Sequence, residues 1–211
     1  MRGPITCGSL LVCSAALAWS ASAAPDFRQV KWGMNQAQLA AEPGKPSSIR
    51  TTAAEVIVTF DSMSWGGIRS RLIYIFAKDK LVRAKYLFDA EHSDPDDFLA
   101  DFRRIDPVLR ETYGKPAADR AVWEDDENQT ERKAYLEQDR ATPGDLLPSD
   151  AFLGLTLAAG HLKLYTQWEV ARTKVLHSLT GENNRVTHQI EYRGMDLEKF
   201  EDEVLSAGGE R

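Results

Sequence analysis

The chain has 211 residues, 43% of them hydrophobic and 27% charged, enough for one substantial core or two fused small ones. With 26 basic against 32 acidic residues and no basic cluster, its field repels phosphate backbones, which argues against nucleic-acid binding. Its two cysteines, Cys7 and Cys13, both lie near the N-terminus.

Residues 1–23 read as a secretory signal peptide. Arg2 supplies the positive start, Ile5 to Ala18 is a short apolar run, and Ala21-Ser22-Ala23 is an A-x-A cleavage signal. The run is shorter than the roughly 20 residues a spanning helix needs, and no later segment is apolar enough to span. A lipid anchor is not expected, because Thr6 and Val12, rather than a small residue, precede the cysteines. The expectation is a soluble periplasmic or secreted protein. Without cysteine, its mature part has no disulfide, thiolate nucleophile or Cys-ligated metal.

Asn35 is placed to cap a helix through Ala41, stopped by Pro43 and Gly44. Residues 54–60 alternate as a strand, and Ser62 to Gly67 reads as a loop carrying Trp65. Ile68 to Phe76 and Val82 to Phe88 form a hairpin about Lys78-Asp79-Lys80. This first half, 24–92, is a helix followed by three antiparallel strands.

The second half, 93–211, opens with Asp94 as N-cap and Pro95 in the first turn of a helix. Phe98, Phe102, Ile105, Leu109 and Tyr113 form its apolar stripe, with a kink or break expected at Pro107, where Asp106 would cap a second short helix. A strand near Ala121 to Glu124 follows, then a long mobile acidic loop over 125–150.

Phe152 to Ala158 and Leu162 to Trp168 read as strands. Val175 to Leu179 and Val186 to Tyr192 form a hairpin around a four-residue turn, Gly181 to Asn184. That register pairs Leu179 with Val186, His177 with His188, and Val175 with Ile190. Met195 to Ser206 closes the chain as a helix with Leu197, Phe200 and Val204 facing the sheet. The expected fold class is α+β, two-layer, with two helix-plus-antiparallel-sheet halves and a C-terminal helix.

Gly33-Met34-Asn35-Gln36-Ala37-Gln38-Leu39 with Gly44-Lys45-Pro46 resembles the start of a SmpA/OmlA unit, in which Gly-Met, a short helix and Gly-x-Pro precede an antiparallel sheet. That unit resembles half of the β-lactamase-inhibitor-protein architecture, a tandem repeat, and the second Gly-Lys-Pro at 114–116 fits such a repeat. Glu42-Pro43 stands where those units usually carry an apolar pair, and no lipidated cysteine is evident. The resemblance therefore implies a scaffold rather than an anchor or outer-membrane assembly. The span from Phe27 to Arg193 is also similar to a group of secreted bacterial proteins, a likeness that carries no activity.

His177 and His188, facing one another, are the pair that could hold a metal or sense pH. Their expected neighbours are Val, Leu and Ile, which supply no third ligand, so the pair reads as structural, bonded to backbone or tyrosine. His92 with Asp94, Asp96 and Asp97 reads as a capped helix start, since no glycine provides the tight turn of a calcium loop. The carboxylates of Glu124 to Glu127 read as a solvated acidic loop. Trp32, Trp65, Trp123 and Trp168 read as packing rather than a sugar platform.

Serine-nucleophile and phosphate-loop motifs are absent, so no catalytic residue or cofactor is assigned. The leading expectation is a non-enzymatic protein that binds another envelope or extracellular protein. Its contact surface would be Lys163, Tyr165, Gln167, Glu169, Arg172, Arg185 and Gln189, or the acidic loop. A hydrolase using carboxylates and histidine is the second expectation. A small-ligand carrier, which requires a cavity between sheet and helices, is the third.

Overall fold

A computed structural model describes residues 26–41, 44–124 and 150–208. The expected signal peptide and nearly all of the expected acidic loop lie outside those residues.

Eight strands form one antiparallel sheet: β1 Ser48–Thr51, β2 Glu55–Trp65, β3 Ile68–Ala77, β4 Lys80–Phe88, β5 Ala118–Trp123, β6 Leu162–Val170, β7 Thr173–Glu182 and β8 Arg185–Gly194. Their order across the sheet is β1-β2-β3-β4-β8-β7-β6-β5. Two four-stranded meanders thus join where β4 pairs with β8, Tyr86 opposite Ile190 and Ala84 opposite Tyr192. The fold class is α+β with an antiparallel sheet, as expected.

Three α-helices lie among the described residues: α1 Pro95–Tyr113, α2 Asp150–Ala158 and α3 Glu198–Gly208. None of them is long and apolar enough to cross a membrane. Alternation along the strands makes two faces. Tyr74, Phe76, Tyr86, Trp168, Ile190 and Tyr192 point to one, where Ile105 and Leu109 of α1 complete the main core. On the same face, α2 adds Leu153 and Leu157 against Leu162 and Leu179. Ile73, Ile75 and Val82 point the other way and meet Val204, Leu197 and Phe200 of the C-terminal segment. The C-terminal helix therefore makes a third layer over part of the sheet, where two layers were expected.

The capping expectation for α1 holds: the Asp94 carboxylate accepts from the Asp96 amide at 3.0 Å, and Pro95 opens the helix. The expected kink or break at Pro107 gives way to one continuous helix. Pro107 lies on the exposed side, where the carbonyl one turn back remains within reach of water.

Other expectations are corrected. Asn35 precedes a 3-10 helix, Gln36–Ala41, rather than an α-helix; its carboxamide oxygen accepts from the Gln38 amide at 3.1 Å. The span expected to hold three strands, 24–92, has a fourth, the exposed β1, which alternation did not reveal because every residue in it faces water. Ser62 to Gly67 is not a loop: β2 runs through Trp65 and absorbs the irregularity as a bulge between Phe60 and Met63, with Ser62 at φ 59°. Phe152 to Ala158 is helix α2, not a strand; its continuous apolar run fits a buried helix as well as a strand.

The last hairpin turns on two residues, Asn183 and Asn184, both with positive φ (50° and 60°). Glu182 therefore pairs with Arg185, and the four-residue turn is replaced. Leu179 pairs with His188, His177 with Ile190 and Val175 with Tyr192, shifting each expected partner by two residues. A shift of two preserves the face, so His177 and His188 still point to the same side.

The N-terminal segment is held by Trp32-Gly33-Met34. Gly33 donates to the Leu81 carbonyl at 2.9 Å, and Leu81 donates back to Met34 at 2.8 Å. Trp32 Nε1 donates to Thr173 Oγ1 at 2.8 Å. The Trp32 ring lies against Gly194, where a Cβ would come within 2.8 Å of it. The two Gly-Lys-Pro runs occupy corresponding places, each preceding the outermost strand of its meander. After the first, the Ser47 amide donates to Thr59 of β2; after the second, the Ala117 amide donates to Gln167 of β6, each at 2.8 Å.

Candidate functional site

The histidines meet diagonally. Nε2 of His177 lies 2.8 Å from Nε2 of His188, and both residues are buried, at 0% and 2% exposure. Phe102 of α1 stacks on His177 with ring centroids 4.0 Å apart, and Phe88 lies 4.3 Å from His188. The expected partners were backbone or tyrosine, and the expected neighbours aliphatic. The observed ones are the second imidazole, two phenylalanines and a carboxylate from α1.

That carboxylate is Asp106, whose Oδ1 stands 3.7 Å from His177 Nδ1, an electrostatic approach too long for a hydrogen bond. It favours the proton of His177 on Nδ1, leaving Nε2 to accept from His188 Nε2–H. His188 Nδ1 then stays buried without a hydrogen-bond partner among the described residues.

Burial pushes both imidazoles towards neutrality. For His177, Asp106 opposes that effect without overcoming it; for His188, the neighbouring His177 adds to it and the pKa falls to about 3. Asp106 moves to about 2: burial would raise it, but His177, Arg110 and Thr166 together outweigh burial. The three groups form a neutral imidazole pair beside a carboxylate whose counterion is Arg110.

This arrangement does not suit a metal. A zinc bound between the two Nε2 atoms would displace their mutual hydrogen bond, and Asp106 approaches the other nitrogen of His177. Among the described residues, no group of three or more His, Cys, Asp or Glu side chains could hold an ion. With both rings buried, a substrate would also have to unpack Phe102 or Phe88 to reach them.

The expected contact surface is only partly assembled. Lys163, Tyr165, Gln167 and Glu169 of β6 share the face opposite the main core with Gln189 of β8. Lys163 pairs with Glu124 at 2.5 Å, and Gln167 with Glu169 at 3.3 Å. Arg172 lies apart in the β6–β7 turn, bonded to Asp196 at 2.7 Å, and Arg185 lies beside the β7–β8 turn.

A cleft of about 400 Å³ was not anticipated. It opens on the main-core face between the N-terminal segment, the C-terminal end of α1 and the β6–β7 turn. Its walls include Phe27, Trp65, Tyr86, Tyr113 and Tyr192. Phe27 lies 4.3 Å from the Tyr192 ring, and Tyr86 lies 6.4 Å from Trp65, centroid to centroid.

The polar groups of the cleft converge. Arg28 Nη1 donates to Tyr86 Oη at 2.8 Å, and the hydroxyls of Tyr113 and Tyr192 share a hydrogen bond at 3.4 Å. Burial raises the pKa of Tyr113, and burial together with Tyr113 raises that of Tyr192 further, so both remain phenols at neutral pH. The available sequence signal was the placement of Tyr74, Tyr86 and Tyr192 at inward strand positions, where an aliphatic residue would pack without a hydroxyl to satisfy.

Comparison with protein-family models, curated proteins and solved structures returns no match, so the resemblances drawn from the sequence rest on their own residues.

Proposed function

We propose that this is a periplasmic or secreted binding protein whose ligand is a small molecule held in the tyrosine-lined cleft. The cleft itself carries the reading. Its size falls in the range of ligand sites, its walls are aromatic, and a few polar groups converge inside it. The exported location rests on the signal-like residues 1–23.

Two related helix-plus-sheet halves would explain the scaffold. The paired meanders and the matching positions of the two Gly-Lys-Pro runs support that reading. The cleft then lies near the β4–β8 seam, where each half contributes a tyrosine, Tyr86 and Tyr192.

The test is calorimetric titration of the mature chain with a chemically diverse small-molecule set, beside Val170→Trp. Val170 lines the cleft and is 38% exposed, so the larger ring obstructs the mouth without entering the core. Binding by the wild type that the variant loses is the expected result. No binding across the set, or equal binding by both, removes the reading.

A second reading is a protein partner on the opposite sheet face. The C-terminal helix covers the β3–β4 part of that face, whereas Lys163, Tyr165, Gln167 and Glu169 have no helix packed on them among the described residues. Substituting Tyr165 and Glu169 together would abolish capture of such a partner and leave small-molecule binding intact.

A further inference from the structure

We propose that the ligand of the cleft is a planar aromatic acid, with its ring against the aromatic walls and its carboxylate taken by the hydroxyls of Tyr86 and Tyr192 beside Arg28. This rests on the small-molecule reading above and narrows it to one chemical class.

The argument is a count of protons. Thr173 is already used in both directions: its hydroxyl accepts from Trp32 Nε1 and donates to the Asp26 carbonyl. Asp26 Oδ2 accepts from the Trp32 amide at 2.9 Å and lies 3.8 Å from Arg172, so this carboxylate is already engaged. Tyr86 is different, because its oxygen accepts from Arg28 and its own hydrogen has no acceptor among the described residues. Tyr113 and Tyr192 share one hydrogen bond between two hydroxyls, so one of their two hydrogens stays uncommitted.

The uncommitted groups are therefore donors, and the molecule that completes them must bring acceptor oxygens. Burial keeps both phenols of this pair protonated, so it offers a hydrogen rather than a second negative charge. The Arg28 guanidinium makes the bond to Tyr86 charge-assisted and polarises that hydroxyl towards a negative acceptor. Hydrogen bonds to an ionised acceptor are roughly twice as strong as neutral ones, which favours a carboxylate over an amide or alcohol.

The rest of the cleft selects the body of the ligand. Phe27, Trp65 and Tyr113 line the same cleft as Tyr86 and Tyr192, and a planar ring would meet them in stacked or edge-on contact. A saturated ring of the same size would lose those contacts while keeping the acid.

The experiment is calorimetric titration at pH 7 with benzoate and 2-naphthoate, their amides, and cyclohexanecarboxylate. The aromatic acids are expected to bind at least about tenfold more tightly than the amides and than the saturated acid. Tyr192→Phe and Arg28→Gln are each expected to weaken the acids about tenfold and the amides less than about threefold. Arg28 is exposed, so its variant keeps the test valid if Tyr192→Phe is unstable. Amides or cyclohexanecarboxylate binding as tightly as benzoate would overturn the acid or the aromatic assignment, leaving the small-molecule reading in place. Failure of every probe while other compounds bind would also overturn it, and failure of all compounds removes both.

Discussion

His177 and His188 share a 2.8 Å Nε2 to Nε2 contact, and Asp106 approaches the far side of the first ring. Both imidazoles are neutral in the folded protein because burial lowers their pKa below the ordinary 6.5, that of His188 to about 3. The unfolded chain binds protons there first, so the pair's contribution is complete above pH 6.5 and declines as pH falls towards the folded values. His188 alone then costs on the order of 2 to 3 kcal/mol by pH 4.5. The Asp106 contribution is lost in a lower window, between its ordinary 3.8 and about 2. Urea denaturation from pH 7.5 to 4.5 should show a steeper loss for the wild type than for the His177→Gln, His188→Gln double variant. Parallel curves would remove the histidines as the cause.

Asn183 and Asn184 carry the last hairpin through two consecutive positive φ angles. A side chain with a Cβ and no local hydrogen bond pays roughly 1–2 kcal/mol per residue in that conformation, whereas glycine pays little. Replacing both with alanine should therefore destabilise by about 2 kcal/mol, and Asn184→Gly should be neutral or slightly stabilising. Chemical denaturation distinguishes the two, and the reverse order would contradict the two-residue turn.

The strand and helix pattern was largely legible, because alternation of Val56, Val58 and Phe60, or of Tyr86 and Phe88, reports a half-buried sheet directly. Residues 152–158 were not legible: seven nearly continuous apolar positions carry no period that separates strand from helix. The turn at 181–184 offered two lengths, and only the pairing of Glu182 with Arg185 decides between them. The histidine pair was visible as two inward positions, but Asp106 and Phe102 arrive from a helix distant in sequence. The cleft was hidden for the same reason, since its tyrosines become a site only when β4 and β8 pair.

Arg83 joins three elements on the opposite face. It meets Glu55 of β2 at 3.0 Å, Glu191 of β8 at 3.8 Å and Glu201 of the C-terminal helix. Glu201 is buried; burial raises its pKa, while Arg83 and Arg193 pull it down. Removing the arginine leaves that carboxylate with less compensation, so Arg83→Leu should cost about 3–5 kcal/mol. Glu201→Gln removes the buried charge itself and should cost less. Equilibrium unfolding of both variants tests the order, and a larger loss for Glu201→Gln would refute the buried-charge account.

Pro107 sits inside α1 without interrupting it, on the side exposed to water. Alanine there would restore an amide donor to the carbonyl one turn back and relieve the ring clash, a difference of about 3 kcal/mol in a helix interior. Part of that gain is offset, because proline restricts the unfolded chain and its removal returns about 0.4–1 kcal/mol of conformational freedom. The helix has also already accommodated the ring, so the relief is smaller than in an ideal helix. Pro107→Ala should therefore stabilise by about 1–2 kcal/mol, raising the urea midpoint without changing the slope. It should leave the His177 and His188 pH dependence unchanged, because Asp106 keeps its bond to Arg110. A destabilised variant would show that the proline sets the orientation of Asp106, and the pH dependence would shift with it.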